Sequence, residues 1–327
     1  MRTSAERLAG LVGGNGGDYV FTENATVGCS TVLNSIRFAQ DDEILPTNHC
    51  YPAILLAAQR AARKTGATIV QAEVPFPLVE EAQIIAAIKA KLNSRTRPVI
   101  LDHITSPTAL VFPVHTLTAL CRGAGAQVLI DGSHAPGMLP LDIPSIRADW
   151  YVGNCHKWLM APKGSAFIWV SPERQTETHP LVTSHGWGNG FNDEFDWVGT
   201  RDPTAWLSVP AAINWHVKAG GASLNQRNAG LVQMAAQALA SRWKTETGDQ
   251  ASATVSMKAI RLPLGEPTNE AAQRLRATLL KHHRVDTAIV VFANGLWIRL
   301  SAQAYNSLPE YLHLGEISRE LRELRTV

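Results

Sequence analysis

The stretch from Val128 to Val170 confines the chain more tightly than any other. It reads VLIDGSHAPGMLPLDIPSIRADWYVGNCHKWLMAPKGSAFIWV. Three short apolar runs stand out, Val128-Leu129-Ile130, Trp150-Tyr151-Val152 and Ala166-Phe167-Ile168-Trp169-Val170. Each is bounded by Gly, Pro, Asp or Asn, the pattern of buried strands that end at turns. Polar groups cluster where the runs stop: Asp131 and His134 after the first, Asn154, His156 and Lys157 after the second. In an open α/β sheet the loops at the carboxyl ends of the strands form the ligand crevice, so these side chains are placed to share one site.

The residue types fit one chemistry. A lysine flanked by Trp158, Leu159 and Met160 is partly desolvated, which favours the neutral amine and Schiff-base formation. An aspartate at a strand end can pair with a protonated heterocyclic nitrogen, the partner a pyridoxal phosphate ring requires. A histidine beside the lysine can donate to a phosphate or phenolate oxygen. Taken singly, Lys157 reads as a solvated surface lysine and Asp131 as a turn-former. The combination, at strand ends about 25 residues apart, carries the functional reading.

The rest of the chain supplies the frame. A helix over Arg2 to Leu11 precedes a strand, Tyr19 to Phe21, that runs into Asn24-Ala25-Thr26 and a further helix. A strand, a small-residue loop and a helix N-terminus form a ready phosphate site, although Asn-Ala-Thr also serves as a plain N-cap. The strand Glu43-Ile44-Leu45 leads to Thr47-Asn48-His49-Cys50-Tyr51-Pro52, then a helix from Ala53 to Lys64. Thr68 to Ala72 reads as a strand and Glu80 to Leu92 as an amphipathic helix. Arg97 to Leu101 is another strand, delivering Asp102-His103-Ile104-Thr105-Ser106-Pro107-Thr108, in which His103 reads as structural. With a helix over Val114 to Gly123, this alternation gives an α/β fold, a mainly parallel sheet with helices on both faces.

From Ser171 the pattern changes. The glycine- and aromatic-rich segment Thr183 to Phe191, continuing to Pro203, reads as an irregular loop over the site. Helices over Trp206 to Lys218 and Gln226 to Thr245 follow, the second bridging into a smaller domain. From about residue 251, strands at 259–262, 288–292 and 296–301 with helices at 270–281 and the C-terminus make that domain α+β. The division is a large domain over residues 1–225 and a small one over residues 226–327.

With 327 residues the chain can bury one large core and a lesser one. A 45% apolar and 18% charged composition is that of a globular protein, and a net charge of +2 leaves no footprint for nucleic acid. No apolar stretch approaches a membrane span and no signal-peptide core opens the chain. The four cysteines, Cys29, Cys50, Cys121 and Cys155, lack CxxC spacing and read as free thiols in a reducing compartment, which sets the expectation of a cytoplasmic protein.

Asp131-x-x-His134 followed by Asn154-x-His156-Lys157 resembles the signature of class V aminotransferases, pyridoxal-phosphate enzymes of fold type I. The D-G-S-H-A-P-G form, with H-I-T-S-P-T-A before it and G-T-R-D-P after it, is similar to the isopenicillin N epimerase-like branch. Five segments match in order, from about Arg2 to the end. The resemblance implies a seven-stranded, mainly parallel sheet and pyridoxal 5'-phosphate held by Lys157 as a Schiff base. It places Asp131 on the ring nitrogen, with His134, Asn154 and His156 as further cofactor contacts. It puts Ala25 and Thr26 on the phosphate, and Thr105 or Ser106 on the phenolic oxygen. An aromatic or imidazole ring stacks on the pyridine; His49 is favoured and Tyr51 is assigned to the substrate. The Gly-Thr pair at Thr200 reaches the phosphate in a neighbouring subunit, which implies a homodimer. The I-R-x-S-x-x-x-Y-N pattern sets Arg299 on the carboxylate of an amino-acid substrate. An arginine inside an apolar strand costs free energy unless a carboxylate satisfies it, and an intramolecular ion pair is the plainer alternative.

Transamination, racemisation at Cα and β-elimination all begin by removing the Cα proton, so the sequence leaves all three open. Cysteine desulfurases need a nucleophilic cysteine in the small-domain region, and none follows Cys155, itself read as a packing residue. Family members usually carry several tens of residues before the position of Arg2, a segment that contributes to the substrate pocket. The expectation is therefore of a fragment, a misassigned start or a shortened member, with an inactive pyridoxal-phosphate-binding homologue as one alternative. The other is a metal-dependent hydrolase using His103, Asp131, His134 and His156, although their spacing matches no common zinc pattern and leaves Lys157 unexplained.

Overall fold

The structure, a computed structural model, describes residues 1–250, 255–263 and 266–323. It comprises two compact units. The first holds residues 1–74, 81–106 and 111–221; the second holds residues 75–80, 107–110 and the described residues from 222 onward. The grouping differs at its edges from a single division at residue 225. It falls after Gly221, and two short stretches from the first half of the chain belong with the second unit.

In chain order the first strands are β1 (Tyr19–Thr22), β2 (Glu43–Leu45), β3 (Thr68–Ile69) and β4 (Leu78–Val79), the last belonging to the second unit. β5 (Thr96–Asp102), β6 (Val128–Asp131), β7 (Trp150–Asn154) and β8 (Ala166–Val170) follow. The first unit is built on a seven-stranded sheet of order β1-β8-β7-β6-β5-β2-β3. From β3 to β7 every pairing is parallel, and β8 runs antiparallel to both β7 and β1. The reversal has a local cause. Parallel neighbours need a long crossover, usually helical, whereas β7 and β8 are joined by the irregular loop 155–165. The α/β class and mainly parallel sheet expected from the sequence are observed. The expected strand over Thr68 to Ala72 is curtailed, leaving only a bridge between Thr47 and Ala72 beyond β3.

β6, β7 and β8 are buried along their whole length, which is why they read as unbroken apolar runs. Helices Ala25–Ser35 and Pro52–Thr65 close one face, bringing Cys29, Val32, Leu33, Ile54 and Ala58 against Ile44, Ile100, Val152 and Ile168. Gly28 makes the close approach possible: a Cβ there would sit 2.6 Å from Val152 Cγ1 and 3.3 Å from Ile168 Cγ1. The segment after Ser171 is more ordered than its glycine content implies. Phe191–Asp196 forms a short helix, anchored by buried Phe195 and by Arg2, whose guanidinium donates to both Asp196 oxygens at 2.7 and 2.6 Å.

In the second unit β9 (Thr247–Gln250), β10 (Met257–Arg261), β11 (Ala288–Phe292) and β12 (Gly295–Ser301) form a sheet of order β11-β12-β10-β9-β4. All its pairings are antiparallel except β4 with β9. The β11–β12 hairpin turns on Ala293 and Asn294, with φ of 44° and 56°, the positive values a tight two-residue turn demands. Helices Ala222–Trp243, Asn269–His283 and Leu308–Glu323 supply Val232, Leu239, Leu279 and Leu314 to a separate core over Ile260 and Ile298. Residues 251–254, at the expected start of the strand-bearing portion of the small domain, and residues 324–327, at the end of its closing helix, lie outside the described residues. Among the described residues, no helix is long and apolar enough to cross a membrane.

Candidate active site

β5, β6 and β7 end side by side, and their ends open onto a cavity of about 590 Å³, its mouth included. The size suits a cofactor-scale ligand. Within the first unit it is lined by Ala25, Thr26, Tyr51, Ser106, Asp131, His134, Asn154, His156 and Lys157, all singled out in the sequence. Asn24, Ile54, Asp102, Ile104 and Ser133 complete the lining.

Asp131 ends β6, buried, with Ser133 folded back beneath it. The Ser133 amide donates to Asp131 Oδ1 at 3.0 Å, and the Ser133 hydroxyl makes a second, shorter bond to the same oxygen. The Asp-Gly-Ser order makes this turn local, since an aspartate accepts readily from a backbone two residues on. Two donors thus converge on this one carboxylate oxygen. Its neighbour in strand register is Asp102, at the end of β5. Asp102 is buried, and its Oδ2 has no hydrogen-bond partner. Burial, followed by the charge of Asp131, pushes the Asp102 carboxyl well above the ordinary aspartate range. The two acids thus differ in their partners: Asp131 accepts twice from Ser133, whereas Asp102 Oδ2 accepts from none.

Lys157 and Trp158 straddle the cavity wall. Lys157 is exposed into the cavity, while Trp158 and Leu159 turn into the core. Burial by its apolar neighbours is therefore not what sets the lysine's environment. His134 takes that part. Lys157 Nζ lies 3.2 Å from His134 Nε2, and the Trp158 indole N–H donates to His134 Nδ1 at 3.1 Å.

His156 turns its Nδ1 toward Ser165, 2.7 Å from the carbonyl and 3.2 Å from the amide. One nitrogen cannot serve both; the shorter contact makes Nδ1 a donor to the carbonyl. Burial is the largest influence on His156 and lowers its pKa. Asn154, at the end of β7, accepts from the Ala25 amide at 3.0 Å, and Asn24 caps the same helix by accepting from Val27 N at 2.9 Å. The first amides of helix Ala25–Ser35 are thus divided, and that of Thr26 is taken by neither cap.

The structure places two of the expected contacts outside the cavity lining. His49 does not line the cavity: its ring is wholly buried, Nε2 lies 3.1 Å from the Val74 carbonyl, and it packs edge-on to Phe112 at 6.2 Å. Tyr51, two residues on and 43% exposed, is the ring at the cavity wall. Thr105 is likewise buried outside the lining, and Ser106 is the hydroxyl that reaches it. Alternation of adjacent side chains separates Thr105 from Ser106, whereas His49 and Tyr51, two residues apart, are separated by the bend at Tyr51 before Pro52. Thr200 is exposed outside this cavity. Arg299 lies on β12 of the second unit, lining a cavity there with Arg276, Asp286 and Tyr311. Among the described residues no cluster of three or more His, Cys, Asp or Glu side chains could hold a metal ion.

These residues fit pyridoxal phosphate. Asp131 suits a protonated ring nitrogen, the Thr26 amide and hydroxyl stand at a helix N-terminus suited to a phosphate, and Lys157 is the amine within reach. The orphaned Oδ2 of Asp102 marks a place where a buried polar partner is wanting.

The family described as Aminotransferase class-V matches residues 1–286. Isopenicillin N epimerase of Streptomyces clavuligerus is 31% identical over 329 residues, covering 95% of this chain and 82% of its own length. The L-cysteine desulfhydrase of Arabidopsis thaliana is 30% identical over 335 residues, covering 91% and 73%. Among solved structures, the cystine C-S lyase C-DES in complex with its product cysteine persulfide matches with a TM-score of 0.80 at 23% identity, over 97% of this chain and 85% of that one. A cysteine desulfurase from Thermococcus onnurineus NA1 gives 0.81 at 18% identity, over 98% and 83%. At these identities the structural matches establish the fold.

Proposed function

The chain belongs to the class-V aminotransferases as a pyridoxal-phosphate-dependent enzyme, and we propose that it is a carbon–sulfur lyase acting on cysteine or a related amino acid. One observation carries the reading: the Lys157 amine and the Asp131 carboxylate open onto one cavity of a single unit. The bound cofactor supplies an electron sink for the pair left when the Cα–H bond breaks. Lys157 takes that proton. Asp131, anchored by Ser133, would hold the proton on the ring nitrogen, and His134 and Ser106 would contact the phenolic oxygen. Thr26 and His156 hold the phosphate, helped by the Asn24 and Asn154 caps that fix the helix entry. Tyr51, at the cavity wall, would cover one face of the ring.

Elimination needs a single base, and among the described residues Lys157 is the one amine in the cavity lining. Relatives named as cysteine desulfhydrases support the choice of leaving group. The balance is L-cysteine plus water to pyruvate, hydrogen sulfide and ammonia. Arg299 is our proposed ligand for the substrate carboxylate, and Thr200 our proposed phosphate contact to a second copy in a cytoplasmic homodimer. Epimerisation at Cα is the second reading, favoured by 31% identity with isopenicillin N epimerase.

The test is incubation of the cofactor-loaded protein with L-cysteine, L-cystine and a panel of other amino acids. The expected result is equimolar sulfide, pyruvate and ammonia from L-cysteine. A D-enantiomer with no sulfide would replace the lyase by an epimerase, and a keto acid that retains its sulfur would replace it by a transaminase.

A further inference from the structure

His134 sits between two nitrogen groups. Trp158 Nε1 is 3.1 Å from Nδ1 on one side and Lys157 Nζ is 3.2 Å from Nε2 on the other. An indole nitrogen can only donate, so Nδ1 accepts and carries no proton. A neutral imidazole then has its one proton on Nε2, where it meets Lys157. A donor at Nε2 requires a lone pair on the amine opposite, and an ammonium has none. Lys157 is exposed, so burial does not supply the neutral amine that condenses with an aldehyde.

We propose that Trp158 is a positioning residue whose indole N–H fixes His134 as the Nε2–H tautomer, so that His134 donates into the cavity and meets Lys157 as a free-base amine. The sequence hides this role, because a tryptophan after the lysine reads as core. Indeed the Trp158 ring is buried, and only its N–H reaches the site. The same tautomer keeps a donor aimed into the cavity once the lysine is occupied. The consequence for cofactor loading rests on the function proposed above; the tautomer itself does not.

The experiment labels histidine with nitrogen-15 and reads the ring nitrogens of the cofactor-free protein by long-range proton–nitrogen correlation, with His134→Gln identifying the signal. The expected pattern is a pyridine-like Nδ1 and a pyrrole-like Nε2. Trp158→Phe, which keeps an aromatic ring and removes the N–H, should lose that single-tautomer pattern. It should also slow uptake of pyridoxal phosphate near neutral pH by roughly two- to tenfold, the worth of one hydrogen bond, with recovery at alkaline pH where the lysine loses its proton unaided. A protonated Nδ1 in the wild-type protein overturns the proposal without any variant. So does a Trp158→Phe protein whose His134 signals are unchanged, which would reduce Trp158 to packing. A fixed Nε2–H tautomer in a protein that never develops a visible band with pyridoxal phosphate upholds the tautomer and counts against Lys157 as the cofactor lysine.

Discussion

Asp102 and Asp131 face each other in the register of β5 and β6, and both carboxyls open onto the same cavity. Two buried carboxylates in one site repel, so one must keep its proton. Burial, followed by the charge of Asp131, pushes the Asp102 carboxyl well above the ordinary aspartate range, while the two Ser133 donors go to Asp131.

Asp102 should therefore be a liability at neutral pH. Its folded pKa is raised above the unfolded value of about 3.8, so the folded protein binds this proton more tightly. The stabilisation is full below that value and is lost as pH rises through the window above it. Asp102→Asn, which cannot ionise, should leave stability unchanged near pH 4. Near pH 8 it should raise stability by about 1–3 kcal/mol, the cost of a buried polar group left unsatisfied. Denaturant unfolding of the cofactor-free protein at both pH values measures this, and a variant less stable at pH 8 contradicts it.

Lys157→Ala should abolish the visible band that forms with pyridoxal phosphate and cut turnover by at least about 10²- to 10⁴-fold, the scale of a positioned general base. The side chain is exposed, so stability should change by no more than about 0.5 kcal/mol. A borohydride-reducible band that survives in Lys157→Ala would place the cofactor on another amine.

Acid should unfold the protein through histidines that the site does not use. Burial holds His49 and His103 neutral, each with its pKa lowered from about 6.5 to about 4. The unfolded chain takes up these protons first, so stability is complete above pH 6.5 and falls as pH drops toward 4. By pH 4.5 each histidine should cost about 2.5 kcal/mol. His49→Gln, which can still donate to the Val74 carbonyl, should reduce the loss between pH 7.5 and 4.5 by about that amount. Equal losses in wild type and variant would refute the assignment.

Sequence and structure agree where the signal is local. Apolar runs between turn residues gave the central strands, and polar residues at their ends gave Asp131, Asn154 and Lys157. Disagreement arises where a side chain's direction decides. His49 and Tyr51 sit two residues apart just before a helix, and only the bend at Tyr51, the residue before Pro52, sends one ring inward and the other to the cavity. Asp102 was visible as an acid ending an apolar run, but its pairing with Asp131 depends on β5 and β6 being neighbours. Sequence order alone does not give that adjacency. The membership of 75–80 and 107–110 in the second unit escaped for the same reason: both stretches are too short to carry a pattern of their own.

Gly132 and Gly230 should respond oppositely to the same change, to alanine. At Gly132 a Cβ would overlap the phenol of Tyr151. That ring has no room to yield: it is fully buried, stacked 6.4 Å from Phe167 at 8°, and tied through its hydroxyl to His103 Nδ1 at 2.8 Å. The turn is held too, because the Gly132 amide donates to the Val152 carbonyl at 2.7 Å. Gly132→Ala should cost about 1–3 kcal/mol by overpacking. Any relaxation would move Ser133 off Asp131, so cofactor affinity should fall along with stability. At Gly230, inside helix Ala222–Trp243, a Cβ meets nothing within 4 Å. There the alanine only removes freedom from the unfolded chain and should stabilise by about 0.4–1 kcal/mol. Unfolding free energies and equilibrium binding of pyridoxal phosphate for the two variants give the comparison. A Gly132→Ala protein that matches wild type in both would show that the turn beneath Asp131 does not need the space.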